Sequence, residues 1–182
     1  MKVEGSHTIR APRETVWHLL TDPVVLARCI PGCQKLEGVG EDQYAAVLNV
    51  GIGTIKGVFT GTVQLSDKAP FSRYKMTVGG KGGPGFVRGE GTLDLAEQGG
   101  ETLIQYQGDV QVGGTLASVG QRMVQGSARM MAAQFFTAIE VEAAARLAAE
   151  KKTQPMTGPP KHGILRTFLR YLWNRLRALF GG

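Results

Sequence analysis

Residues 80–85, Gly80-Lys81-Gly82-Gly83-Pro84-Gly85, have the spacing of a dinucleotide-binding loop. That chemistry needs a strand before the glycines and a helix after them, because the helix N-terminus receives the pyrophosphate. Here Phe86 to Leu95 alternates as another strand, so the segment reads as a glycine-rich hairpin loop, or as a mobile lid tipped with Phe86. Cys29 and Cys33 are too few for a tetrahedral zinc site, and His7, His18 and His162 have no ligand spacing. Nothing in the neighbouring sequence lowers a thiol pKa, which favours ordinary buried or turn cysteines over a redox pair. No Ser/His/Asp set, carboxylate pair or metal motif stands out, so the expectation is a protein with no catalytic residues, no metal and no covalently bound cofactor.

Binding chemistry is better represented. Met123, Met130 and Met131, with Gly126 and Ser127 between them and Val119 and Phe135 in neighbouring helical rows, form a stripe. Such a stripe is either core packing or an adaptable wall for a hydrophobic ligand, since thioethers beside small residues mould to irregular shapes. Facing it, strand-patterned segments offer Tyr44, Leu48, Phe59, Met76 and Phe86.

A third feature lies at the end of the chain. At about 100° per residue, Ile164, Leu165, Phe168, Leu169, Leu172, Trp173, Leu176, Leu179 and Phe180 share one half-turn, while Arg166, Thr167, Arg170, Asn174 and Arg177 lie opposite. Arg175 falls inside the apolar arc, where its long stem lets it reach outward. A 17-residue helix, about 26 Å long, with arginines along one face is suited to lie in a headgroup plane of anionic lipid. The alternatives are docking on its own domain or a partner protein, and nucleic acid, which would leave the leucine face without a role.

The surrounding elements must position these groups. The chain has 182 residues, 42% of them hydrophobic and 20% charged, with 26 glycines in no regular period, which describes one folded domain with an appendage. Residues 1–150 carry fourteen Lys and Arg against fifteen Asp and Glu, whereas residues 151–182 carry seven basic residues and no acidic one. The start, MKVEGSHTIRA, lacks the apolar run of a signal peptide, and no stretch approaches about 18 apolar residues, so the protein is expected to be cytoplasmic.

Alternation from Val3 to Ile9 predicts a strand. Pro12 and Glu14 open a short helix through Leu20, and Asp22 caps a second over Val24 to Arg28 that Pro31-Gly32 must end. Period-two runs near 34–39, 43–50, 53–66, 73–80, 86–95 and 102–112 predict an antiparallel meander, strongly bent where Gly51, Gly53, Gly57 and Gly61 interrupt it. One long helix is expected from Thr115 to about Glu150. The three prolines and two glycines of residues 153–163 describe a semi-extended linker. The expected organisation is therefore a ligand-binding domain over 1–150, a linker over 151–163 and an amphipathic basic helix over 164–180.

Strand, two short helices, curved sheet and long helix is the order of the START-like, helix-grip α+β fold, in which the sheet wraps the helix around an apolar cavity. Ala11-Pro12-Arg13-Glu14-Thr15-Val16-Trp17 is similar to the opening of that superfamily. Cys29-Ile30-Pro31-Gly32-Cys33, the run from Val50-Gly51 to Lys56-Gly57 with Phe59 and Gly61, Gly82 to Phe86 with Gly89, and Val112 to Leu116 with Gly120 and Arg122 together resemble the carbon monoxide dehydrogenase G-subunit family over residues 1–145. The resemblance implies a non-catalytic accessory of molybdenum-containing CO dehydrogenase, or a related hydroxylase, at the inner face of the cytoplasmic membrane. A cavity on such a tether would suit a lipophilic quinone, menaquinone or ubiquinone, as bound ligand. Nucleic acid is not an expected partner. The competing functions are a polyketide cyclase-like enzyme and a lipid-transfer protein of the same superfamily.

Overall fold

Val3, His7 and Ile9 alternate inward along β1 (Lys2–Ile9), and the chain then turns sharply at Ala11, whose carbonyl accepts a 2.8 Å hydrogen bond from the buried hydroxyl of Thr102. Pro12, at φ −59°, sets the entrance of α1 (Arg13–Thr21). That helix buries Val16, Trp17, Leu19 and Leu20 and carries Glu14 in its first turn, at the positive end of the helix dipole. Asp22 caps α2 (Pro23–Cys29) by accepting from the Val24 N–H at 2.8 Å, with Pro23 at the first helical position. Gly32, at φ +74°, then packs so closely on the Asn49 carbonyl that no side chain fits there.

Six further strands follow: β2 (Cys33–Gly40), β3 (Gln43–Ile52), β4 (Ile55–Ala69), β5 (Arg73–Gly82), β6 (Gly85–Gln98) and β7 (Glu101–Gly113). All pairs are antiparallel, in the order β1-β7-β6-β5-β4-β3-β2, so the last strand closes back on the first. Two helices complete the fold, α3 (Thr115–Ser118) and α4 (Gln121–Thr153). The sheet curves about α4 in the α+β helix-grip arrangement that the element order implied. The computed structural model describes residues 1–153; the amphipathic segment 164–180 and the linker, apart from its first residues, lie outside the described residues. Met1–Ala149 form one compact unit.

Two expectations need correction. The helix does not run unbroken from Thr115: Val119 ends α3, and Gly120 at φ +87° resets the chain before α4 begins. A left-handed residue cannot continue a right-handed helix, and glycine adopts it without steric cost. The hairpin loops are also tighter than the composition implied. Strands continue to Gly82 and resume at Gly85, which leaves only Gly83-Pro84 as a turn.

The packed core occupies one end of the molecule. Ile9, Val16, Leu20, Ile104 and Ile139 are fully buried there, with Trp17 edge-on to Tyr74 and Phe71 at 5.8 and 6.0 Å between ring centroids. Toward the other end, the inward positions of the sheet become glycines. Gly61 pairs with Gly80 and Gly91 with Gly108, in phase with the inward-facing Val63, Val78 and Val110. A Cβ on Gly61 would collide with the Gly79 carbonyl oxygen, whereas one on Gly38 in β2 would meet nothing within 4 Å. Gly61→Ala should therefore lower stability by about 2 kcal/mol or more and Gly38→Ala by no more than about 0.5 kcal/mol, as read from urea unfolding midpoints at unchanged slope.

Candidate functional site

Between the glycine-bearing part of the sheet and the first half of α4 lies a hollow in two lobes of about 390 and 300 Å³. Val63, Val78, Val110 and Met131 line both, so the lobes adjoin along α4. The larger lobe is walled by Tyr44, Met76, Tyr106, Phe135 and Phe136 and reaches Leu26, Ile30 and Pro31 at the end of α2. The smaller is walled by Ala46, Leu48, Val50, Phe59, Leu116, Val124 and Ala128. The lining is almost wholly apolar. Both volumes fall in the range of small-molecule sites, about 300 to 1,000 Å³.

Of the residues singled out in the sequence, Tyr44, Met76, Met131 and Phe135 line the larger lobe and Leu48, Phe59 and Met131 the smaller. The other candidates do not meet there. Met123 and Met130 are half exposed, and neither they nor Val119 and Ser127 line either lobe; the Met123 sulfur lies instead against the β3–β4 turn at Gly53. Phe86 is 41% exposed, lies against Gly113 on the outer face of the sheet and carries the Arg88 guanidinium 5.6 Å from its ring centroid. The break at Gly120 accounts for the helix: the wall runs Val124, Ala128, Met131, Phe135, one residue out of phase with Met123, Ser127 and Met130. Alternation accounts for Phe86, since Val87 and Gly89 take the inward positions beside it.

Sequence reasoning missed Leu26, Ile30, Pro31, Leu36, Ala128 and Ala132. The alanines, four apart and followed by Phe136, carried the signal of a helix face left low to make room. The residues around Pro31 carried none, because they reach the cavity only through the packing of α2 beside β2.

The hairpin of residues 79–86 is fastened, not free. The Pro84 carbonyl accepts from the Thr115 hydroxyl and the Leu116 N–H, each at 2.9 Å. On the opposite side of the hollow, Arg28 of α2 grips Glu142 of α4 through two hydrogen bonds of 3.1 and 3.0 Å. Beside this pair Cys29 is buried, and Cys33 is half-buried at the start of β2; both are free. Burial pushes both thiols above the ordinary cysteine range, and the Glu142 carboxylate pushes Cys29 further. His7 stacks on Phe136 at 5.7 Å. Among the described residues, no cluster of His, Cys, Asp or Glu is placed to hold a metal, and no helix is long and apolar enough to cross a membrane.

A seven-stranded sheet gripping a long helix over an apolar hollow defines a START-like protein. The chain belongs to the CoxG family, named for the G subunit of carbon monoxide dehydrogenase, whose profile matches residues 5–144. It is similar to a crystallised conserved protein from Geobacillus kaustophilus, with 40% identity and a TM-score of 0.77 over 80% of this chain and 96% of that one. A START superfamily protein from Mycobacterium smegmatis shares the fold at 18% identity and TM-score 0.62, over 79% of this chain and 97% of that one. So does the ZhuI aromatase/cyclase of a Streptomyces species, at 16% identity and TM-score 0.60, over 81% and 95%. Comparison with curated proteins found no match.

Two outcomes follow from the geometry. Ala128→Phe and Ala132→Phe fill the lobes and should weaken uptake of an apolar fluorescent dye by about tenfold, equivalent to about 1.4 kcal/mol of lost binding. Met123→Ala and Met130→Ala, which line neither lobe, should leave it unchanged. Because the thiolate is the reactive form and both thiols are raised, alkylation of Cys29 and Cys33 by iodoacetamide should be slower than that of a free cysteine at pH 7.5. Its rate should climb with pH through a midpoint above the free-thiol value.

Proposed function

We propose that this protein is a non-catalytic accessory of a molybdenum-containing CO dehydrogenase or related hydroxylase. In this role it brings the enzyme to the inner face of the cytoplasmic membrane and holds a lipophilic quinone, menaquinone or ubiquinone, as the route for electrons into the respiratory chain. The observation that carries the proposal is the two-lobed apolar hollow in a chain of the CoxG family. An isoprenoid chain needs only shape and dispersion contact, which Met76, Met131, Phe59 and the valines supply. Tyr44 and Tyr106 are also among the residues that wall the larger lobe, and their rings suit the flat face of a quinone.

Cyclisation of a polyketide would require polar groups converging on the substrate, and the nearly unbroken apolar lining favours holding a ligand over transforming one. Attachment to the membrane is assigned to segment 164–180 by its sequence, with Arg166, Arg170 and Arg177 toward the headgroups and Leu169, Leu172, Trp173 and Leu176 toward the acyl chains.

Titration of the purified chain with a short-chain menaquinone analogue should give saturable one-to-one binding that Ala132→Phe weakens. Mass spectrometry of organic extracts should find quinone in the protein as isolated. Acyl lipid in its place, together with failure to retain the dehydrogenase in a pull-down, would instead identify a lipid-transfer protein.

A further inference from the structure

The body of the protein is close to neutral, but its charges are segregated along the strands. One end of the sheet is built from the β3–β4 hairpin, the β5–β6 hairpin, the end of β7 and the start of α4. Register places them together: Ile52 pairs with Ile55, Phe59 with Gly82 and Phe86 with Gly113. The segments 49–60, 79–88 and 111–124 contain Lys56, Lys81, Arg88 and Arg122 and no aspartate or glutamate. All four cations are exposed. The carboxylates Glu41, Asp42, Asp67, Asp94, Glu97 and Glu101 lie in or beside the turns of the opposite end, where Lys68, Arg73 and Arg10 pair with Asp42, Asp94 and Glu101.

The basic end also carries apolar side chains turned to solvent. Val58 is 46%, Phe86 41% and Met123 49% exposed. The tips pack closely on their neighbours: a Cβ on Gly57 would meet the Pro84 ring at 2.6 Å, and one on Gly53 the Met123 sulfur at 2.6 Å. The smaller lobe of the hollow lies beneath this end, where Val50, Ile52, Phe59 and Leu116 line it.

We propose that this end, formed by the tips of the β3–β4 and β5–β6 hairpins with the start of α4, is a second membrane-docking face that seats on anionic lipid independently of segment 164–180. Exposed valine, phenylalanine and methionine within a ring of cations and free of carboxylates match an interface that is apolar below and negatively charged above. An acidic protein surface would answer the cations but not the protruding apolar groups. Docked in this way, the end of the molecule that contains the smaller lobe faces the lipid from which a hydrophobic ligand comes. The proposal does not depend on the ligand's identity or on the dehydrogenase, and its test uses neither.

The test is flotation of the full chain with vesicles of phosphatidylcholine alone or with 30% phosphatidylglycerol, at about 0.1 M salt, where the Debye length of about 10 Å leaves surface charges active. Lys56→Glu/Lys81→Glu/Arg122→Glu should reduce binding to the anionic vesicles by at least about tenfold, and Val58→Ser/Met123→Ser should reduce it severalfold with charge unchanged. Glu41→Gln/Glu97→Gln, at the far end, should bind as the parent chain does. All substituted side chains are exposed, and each variant is to be compared with the parent chain by circular dichroism before flotation. Equal binding by the charge-reversed and parent chains would overturn the proposal and leave segment 164–180 as the whole attachment. Binding indifferent to phosphatidylglycerol content would overturn it too.

Discussion

Glycine facing glycine across adjacent strands is the constraint on which the rest of this structure depends. At Gly61–Gly80 and Gly91–Gly108 the concave side of the sheet has no side chains to present to the helix. A Cβ on Gly108 would lie 2.8 Å from the Glu90 carbonyl oxygen, and one on Gly91 3.0 Å from that of Gln107, so backbones approach there more closely than any other residue permits. Close approach lets the strands coil tightly around α4, as flat sheets cannot. The missing side chains leave the space beneath the helix unfilled.

An unfilled apolar volume costs on the order of 24 cal/mol per Å³ in lost contacts. A lobe of about 300 Å³ is therefore large against a domain's net stability of about 5 to 15 kcal/mol. The offset is visible at the other end of the same sheet, where Ile9, Leu95, Ile104, Ile139 and Ala143 belong to a buried cluster and line neither lobe. Trp17 and Leu20 of α1 close that end, and Thr102 ties the turn before α1 to β7. One long helix thus serves both halves: its second part completes a core, and its first part roofs a hollow that a ligand would restore to normal packing density. Such a molecule is suited to holding a hydrophobic group, because Leu20, Leu65, Tyr74, Leu93 and Phe136 belong to the packed core and to the wall of the larger lobe at once, which fixes that wall in place.

The same axis orders the electrostatics. The solid end carries the carboxylate-rich turns, and the hollow end carries Lys56, Lys81, Arg88 and Arg122. Net charge alone hides this: the solid end carries cations too, Lys68, Arg73 and Arg10, each paired with a carboxylate there, whereas the segments of the hollow end contain no carboxylate. In this chain of the CoxG family, the smaller lobe of the apolar hollow and the cationic, partly apolar turns thus share one end of the sheet.

Much of the fold was legible in the sequence. Period-two alternation located every strand of the meander, Asp22 announced α2, and four glycine-containing motifs in order pointed to the family. Tyr44, Leu48, Phe59, Met76, Met131 and Phe135 were placed on the correct faces because local alternation and helical spacing register which side of an element is buried. The phase of α4 was not legible. Gly120 breaks the helix and rotates the wall onto Val124, Ala128 and Ala132, leaving Met123 and Met130 in solvent. Nor could alternation say that Phe86 points outward, or that the turn at Pro31 lies beside a cavity wall. Sequence by itself determined the elements, their order and the glycine positions, since each depends on residues a few places apart. Only tertiary structure decided which glycines face one another, where the interior is empty and which charges share an end, because those are distances between segments that the chain brings together only when strands pair and the helix settles across them.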